Sequence, residues 1–96
     1  MVTEFAEIDV KPGTEQDFIA GVKASLGHFA RAPGCHGVTL QRSIENPQHF
    51  VLNIQWDSVE AHNAFRASAD FSVWRGNVGQ YFAGPPHVWH GEIVAG

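Results

Sequence analysis

Between Phe50 and Phe65 the chain changes its period within two residues, and that change limits what it can fold into. Phe50, Leu52, Ile54 and Trp56 recur at every second position. Side chains alternate across a strand, so these four share one face. Asp57-Ser58 follows, a pair of short oxygen-bearing side chains suited to accept from the unpaired N–H groups at a helix start. Glu60, three residues after Asp57, stands where the reciprocal half of a capping box belongs. Ala61 and Phe65 then recur at the i, i+4 spacing of one helical face. A strand with one strongly apolar face therefore passes directly into a helix that can cover it.

The rest of the chain repeats that alternation. Residues 2–10 read as a first strand, with Val2, Glu4, Ala6, Ile8 and Val10 on one face and Thr3, Phe5, Glu7 and Asp9 on the other. Lys11-Pro12-Gly13 ends it, because proline removes a ladder donor and glycine permits a turn. Thr14 is expected to cap a helix with Asp17 in the box position, and Phe18, Val22, Leu26 and Phe29 follow as its buried stripe. Gly21 and Gly27 weaken that helix by up to about 1 kcal/mol each and read as points where it lies close to its sheet. Ala32-Pro33-Gly34 stops it. Residues 35–44 form a second strand, and Glu45-Asn46-Pro47-Gln48 turns it into the strand described above as an antiparallel hairpin. The helix after Trp56 is expected to end near Ser68. Asp70 is expected to cap a further piece carrying Phe71, Trp74, Val78, Tyr81 and Phe82. Gly84-Pro85-Pro86 breaks it, and residues 87–94 form the last strand.

The order is strand, helix, strand, strand, helix, strand, with the second helix in two pieces. This is the α+β, ferredoxin-like split βαβ plan, here one domain over residues 1–96. Right-handed crossovers give a four-stranded antiparallel sheet in the order 4-1-3-2, with the helices on one face. Phe5, Val51 and Trp89 or its neighbours then lie on the uncovered face, more apolar surface than a monomer usually leaves wet. A homodimer through that open face is the expected remedy.

Composition narrows the partners. The chain has 96 residues, a formal net charge of −4 and only six Lys plus Arg, with no basic run. Nucleic acid, which needs a positive stripe, is an unsuitable partner. The first residues lack the charged start and apolar run of a signal peptide, and no run suits a membrane span. The reading is a cytoplasmic protein with no membrane partner. Cys35 stands alone, which excludes an internal disulfide.

Six His invite a metal reading, yet none stands at the i, i+4 spacing of a helical ligand pair. No metal site is expected, and half-buried or surface roles are the simplest for most of them. His62, early in its helix, is the candidate general base, since its ordinary pKa is near 6.5. Trp56, Trp74, Trp89 and Tyr81 are either core or the walls of a slot for a flat ligand. Asn53 is disfavoured inside a strand and so needs a reason, either a substrate carbonyl or a hydrogen bond across a dimer interface. Glu7, Asp9 and Glu92 are either paired acid/base carboxylates or a solvated edge pairing with Arg42.

Pro33-Gly34-Cys35, the run Phe50…Trp56-Asp-Ser-Val-Glu-Ala, Phe71…Trp74 and Pro85-Pro86-His87-Val88 together resemble the antibiotic biosynthesis monooxygenase family. The resemblance implies a dimeric α/β barrel. Some members oxidise polycyclic aromatic substrates with molecular oxygen and no metal or flavin, others bind and degrade haem, and many have no established activity. The haem-degrading pattern departs at all three of its functional positions, which fall near Ala6 and at Phe65 and Arg75. The cofactor-independent pattern, a strand Asn with a nearby Trp and an Arg, has Asn53, Trp56 and Arg75 as counterparts. Asn53 and Trp56 are three apart, so only a bulge would bring them to one face. The resemblance thus implies Asn53, Trp56 and Arg75 as catalytic residues and no cofactor; His62 joins them as the candidate base, and Trp74, Tyr81 and Phe65 are the expected substrate-binding residues. The function the resemblance implies is a monooxygenase acting on a small polycyclic or quinol-type aromatic. The alternative is a ligand-binding or accessory protein of the same fold.

Overall fold

The computed structural model describes residues 1–96. In chain order the elements are β1 (Val2–Asp9), α1 (Glu15–Ala30), β2 (Cys35–Arg42), β3 (His49–Trp56), α2 (Val59–Arg66), α3 (Ala69–Val78), a 3₁₀ turn (Gly79–Tyr81) and β4 (His87–Gly91). The four strands form one antiparallel sheet in the order β2-β3-β1-β4. This is the ferredoxin-like α+β arrangement read from the sequence.

One face of the sheet carries the core. Ala6, Ile8, Phe50, Leu52, Ile54 and Trp56 are buried there beneath Phe18, Val22 and Phe29 of α1, Phe65 of α2, and Trp74 and Val78 of α3. Phe18 lies over Phe50 with ring centroids 4.9 Å apart, and Phe29 contacts both Phe65 and Trp74 at 4.9 and 5.1 Å. Such tilted aromatic pairs add to the stabilisation from area burial alone.

Strand ends differ from expectation for reasons of pairing. The last strand stops at Gly91, opposite Thr3, and only Val2 of β1 remains beyond, too little for Glu92–Val94 to pair along. The second strand stops at Arg42. Ser43 Oγ instead accepts from the Asn46 N–H at 3.0 Å, and Ile44 is left exposed in the turn. Val10 lies past β1 and forms an isolated bridge with Phe82.

Of the two cap candidates for α2, Asp57 and Ser58, it is Ser58 that accepts from the Ala61 N–H at 3.1 Å, while Ser68, two residues before the expected Asp70, caps α3 by accepting from the Phe71 N–H at 3.3 Å. Both carboxylates are drawn into tertiary ion pairs instead: Asp57 with His36, and Asp70 with Arg31 and His28. Those partners hold the Asp70 carboxyl below the usual carboxylate range, the His28 bond first and the Arg31 bond next. Thr14 makes no capping bond; its hydroxyl donates to the Lys11 carbonyl at 2.7 Å.

In α1 the buried stripe runs through Ser25 rather than Leu26, which is 41% exposed. The Ser25 hydroxyl donates to the Gly21 carbonyl at 2.8 Å and accepts from Asn77 Nδ2 at 2.9 Å. Gly21 itself is where α1 meets α3, since a Cβ there would stand 2.8 Å from the Asn77 carbonyl oxygen. The close approach is therefore to another helix, not to the sheet.

Candidate functional site

Beneath α2 and α3 the core does not close. A cavity of about 480 Å³ lies between the buried face of β1, β3 and β4 and the helices. Its walls are mainly apolar: Phe29, Phe65, Phe71 and Trp74 from the helices, Ala6, Ile8, Leu52 and Ile54 from the sheet, and Phe82 and Pro86 from the segment leading into β4. A volume in this range suits a small organic molecule, and aromatic walls suit a flat one.

One carboxylate stands in that apolar lining. Alternation along β1 turns Glu4 inward with Ala6 and Ile8, where it is only 6% exposed. The Trp56 indole N–H donates to Glu4 Oε1 at 3.0 Å, and His62 Nε2 lies 3.1 Å from the same oxygen. His62 Nδ1 in turn lies 2.7 Å from Nε2 of His90, which antiparallel pairing of β1 and β4 sets directly opposite Glu4. No buried side-chain oxygen in the molecule lacks a partner, and both contacts to this carboxyl fall on Oε1, so Oε2 faces the cavity.

Burial sets the charge of this chain of groups. It pushes the Glu4 carboxyl above its ordinary range, against the opposing Trp56 hydrogen bond and Arg66 charge. It lowers His62 to about 4, with His90 and Arg66 acting in the same direction. His62 is thus a neutral imidazole near pH 7. Two proton placements satisfy every bond. With Glu4 ionised, the His62 proton is on Nε2, facing the carboxylate, and Nδ1 accepts from His90. With Glu4 protonated, the His62 proton is on Nδ1, which donates to His90. His90 is half-buried, so the chain runs from the cavity floor toward solvent.

The structure gathers some of the residues singled out in the sequence and separates others. His62, Phe65, Trp74 and Arg75 all line the cavity. Trp56 is fully buried behind Glu4 and reaches the site only through its N–H, stacked on His62 with ring centroids 5.4 Å apart. Tyr81 packs against the core from the 3₁₀ turn and is not part of the lining. Asn53 is on the opposite face of the sheet, where its Nδ2 donates to Gln41 Oε1 at 2.9 Å. The pairing of β3 with β1 is regular through Asn53, and the one irregularity is in β2, between Cys35 and Gly37, so no bulge brings Asn53 round to Trp56.

Glu7 and Asp9 also lie on that opposite face. His49 bridges them, with Nδ1 2.8 Å from Asp9 and Nε2 3.5 Å from Glu7. Glu92 is outside β4, and Arg42 donates to the Pro47 carbonyl rather than to a carboxylate. No group of three His, Cys, Asp or Glu is placed to hold a metal ion. Sequence reasoning passed over Glu4 and His90. The available signal was a charged residue among Val2, Ala6, Ile8 and Val10 on an otherwise apolar strand face.

Comparison with known proteins agrees with this architecture. The family described as antibiotic biosynthesis monooxygenase matches residues 1–77. A crystal structure from Bordetella bronchiseptica, assigned to the same family, is 50% identical and superposes with a TM-score of 0.96 over 98% of this chain and 97% of its own. Rv0793 from Mycobacterium tuberculosis, 21% identical, has the same fold with a TM-score of 0.82 over 99% of this chain and 96% of its own. The uncharacterized protein YczJ of Bacillus subtilis is 25% identical over 95 residues, covering 98% of this chain and all of that protein.

Proposed function

Since the chain belongs to the antibiotic biosynthesis monooxygenase family, we propose that the cavity oxidises an electron-rich hydroxylated aromatic with molecular oxygen, and that Glu4 is its base. The observation that carries this reading is the buried Glu4–His62 pair, with the free carboxylate oxygen toward an aromatic-walled cavity. An anthrone- or quinol-type substrate fits between Phe29, Phe65 and Trp74. Its acidic C–H or O–H lies against Glu4 Oε2. Glu4 takes that proton, and the raised carboxyl brings its affinity closer to that of a carbon or phenol acid. The positive charge of Arg66, already felt at Glu4 and His62, stabilises the oxyanion of the resulting enolate.

The carbanion form of the substrate supplies the electrons to oxygen, so neither metal nor flavin is required. For a ring methylene the balance is R₂CH₂ + O₂ → R₂C=O + H₂O: one oxygen atom stays on carbon, and the other leaves as water with the two hydrogens. The proton on Glu4 returns to the departing oxygen as water forms, which restores the carboxylate for the next turnover, while His62 Nε2 stays beside Oε1. Trp56 holds Glu4 in place, and the aromatic walls keep bulk water from the carbanion.

Oxygen-electrode measurements with a panel of anthrones and quinols test the reading. Consumption stoichiometric with product, depressed in Glu4→Gln, is expected. Saturable binding of the same compounds with no oxygen uptake would replace it with a binding or accessory role.

We also propose a homodimer through the open sheet face. Phe5 stacks on Trp89 there with centroids 4.3 Å apart, and Trp89 is 45% exposed. The face is more polar than its sequence suggested, because Thr3–Gln55, Asn53–Gln41 and Trp89–Glu7 hydrogen bonds cross it. Such a surface suits a subunit contact with a mixed centre. Light scattering should give twice the 10.5 kDa chain mass; a monomer at micromolar concentration removes this proposal.

A further inference from the structure

Charge is distributed unevenly in this protein. The chain is acidic overall, with a formal net charge of −4 and six Lys plus Arg. Two of those six, Arg66 and Arg75, line the one cavity that contains Glu4. Arg31 is paired with Asp70, and Arg42 donates to a backbone carbonyl, but neither Arg66 nor Arg75 has an acidic partner. The only carboxylate in the lining is Glu4, so the two arginines outnumber it even with Glu4 ionised as the base. The cavity is therefore positive in a negative protein, and such a site concentrates anions.

The two arginines occupy different ends. Arg66 is one helical turn beyond His62 and acts on the Glu4 pole. The Arg75 guanidinium lies 5.2 Å from the centre of the Phe82 ring, and Phe82 bridges to Val10 beyond the far end of β1. Glu4 and Ile8 mark the two ends of the sheet floor, four residues or about 13 Å apart along the strand. Cation–π contact with Phe82 orients Arg75 and leaves its N–H edge available.

We propose that the substrate is a two-pole molecule: a flat bicyclic or tricyclic hydroxyarene whose hydroxyl end meets Glu4 and whose opposite end carries a carboxylate held by Arg75. The proposal rests on the preceding reading for the pole at Glu4 and adds the second pole. A carboxylate matches the planar guanidinium fork with two parallel hydrogen bonds. It also fixes which end of a nearly symmetric aromatic enters first, a choice that the apolar walls alone cannot make.

Calorimetric titration of the full chain at pH 7 with 6-hydroxy-2-naphthoate and with 2-naphthol tests this directly, since the two differ only in the distal carboxylate. The naphthoate should bind at least about tenfold more tightly, equivalent to about 1.4 kcal/mol. In Arg75→Gln the ratio of the two affinities should fall to about one, and 0.5 M salt should reduce it in the unaltered protein. Arg75 is exposed, so the variant is expected to fold; its melting curve checks that. Equal affinities in the unaltered protein overturn the proposal, as does a preference that survives in Arg75→Gln or failure of both compounds to bind. Naphthol binding without carboxylate preference leaves the oxygenase reading intact. A preference abolished by Arg75→Gln in a protein that consumes no oxygen supports the two-pole site and sinks that reading instead.

Discussion

Glu4 Oε1 and His62 Nε2 lie 3.1 Å apart in a setting from which water is nearly excluded, with the residues 6% and 4% exposed. The pair links β1 to α2 through a close polar contact. Burial disfavours charge on each of them, so the carboxyl is raised and the imidazole lowered. The usual order of proton affinity between a carboxylate and an imidazole is thereby reversed, with the carboxyl above its ordinary 4.5 and the imidazole down at about 4. Glu4→Gln keeps the shape and the acceptor for Trp56 but cannot take a proton. Turnover on an anthrone-type substrate should fall by ~10²–10⁴, with the melting temperature within a few degrees of the parent. Parent-level turnover in Glu4→Gln would place the base elsewhere.

The His62 shift has a consequence for stability. Its folded pKa of about 4 is below the ordinary 6.5. Between those values the unfolded chain binds a proton that the folded chain does not, so stability falls as pH drops from about 6.5 to about 4. The loss at the lower end approaches about 3 kcal/mol. Glu4 acts in the opposite sense: its raised carboxyl binds a proton more tightly when folded, so its contribution falls as pH rises above the ordinary carboxylate range. Denaturant melts at pH 4, 5 and 6.5 for the parent and His62→Gln should show a smaller acid loss in the variant. Contributions common to both chains, including the lowered Asp70, cancel in the difference.

Gly21 and Gly76 make a matched test of helix packing. Both are in helix interiors, where alanine is intrinsically favoured by about 1 kcal/mol. At Gly76 nothing lies within 4 Å of an added Cβ, so Gly76→Ala should stabilise by up to that amount. At Gly21 the added carbon meets a backbone oxygen and Val78 Cγ1, at 2.8 and 3.0 Å. Gly21→Ala must push α1 away from α3 and should destabilise by about 1–3 kcal/mol despite its propensity gain. Urea midpoints that move in the same direction for both would contradict this account of the α1–α3 contact.

Much of this architecture could be read locally. The period-two runs through Ile8 and Ile54 and the helical spacing of Phe18, Val22 and Phe29 depend on neighbouring residues, so element order and sheet topology followed from them. The site was less accessible because its contacts are long-range. Glu4 is 58 residues from His62 and 86 from His90 in the chain, and only the β1–β4 register and the placement of α2 bring them together. Asp70 misled for a related reason: it suits a cap by type, and distant partners took it. Ser25 rather than Leu26 faces the α1–α3 contact, where its hydroxyl is bonded by Asn77, another partner distant in the chain.

Haem should find no free imidazole inside this cavity, since the second histidine of its lining, His87, is exposed at the edge. Both nitrogens of His62 are engaged, with Glu4 and with His90, and Arg75 offers a guanidinium that keeps its proton. His28 is held by Asp70 and Arg31 outside the lining. Hemin titration should leave a broad Soret band without a sharp ligated maximum. A sharp band at submicromolar hemin would show a lining histidine binding iron, and its loss in His62→Gln or in His87→Gln would identify which one.

Trp56 and Asn53 separate the two faces of the sheet. Asn53 bonds Gln41 on the open face and has no path to the cavity except through the strand itself. Asn53→Ala should therefore leave kcat/KM unchanged in a chain that still assembles as the parent does. Trp56 touches the site through a single hydrogen bond to Glu4, one that favours the ionised carboxyl. Trp56→Phe keeps most of the buried ring and removes that donor, so the Glu4 carboxyl should rise further. The acid limb of the pH–rate profile should then move to higher pH, with activity recovering at alkaline pH because the base itself remains. Trp56→Ala would instead leave a cavity costing roughly 3–5 kcal/mol, which confuses folding with catalysis. If Trp56→Phe lowers activity equally at every pH, the indole acts by shaping the cavity and not through Glu4. An Asn53→Ala chain that assembles normally but loses turnover would move the chemistry to the open face, against the placement of every group that lines the cavity.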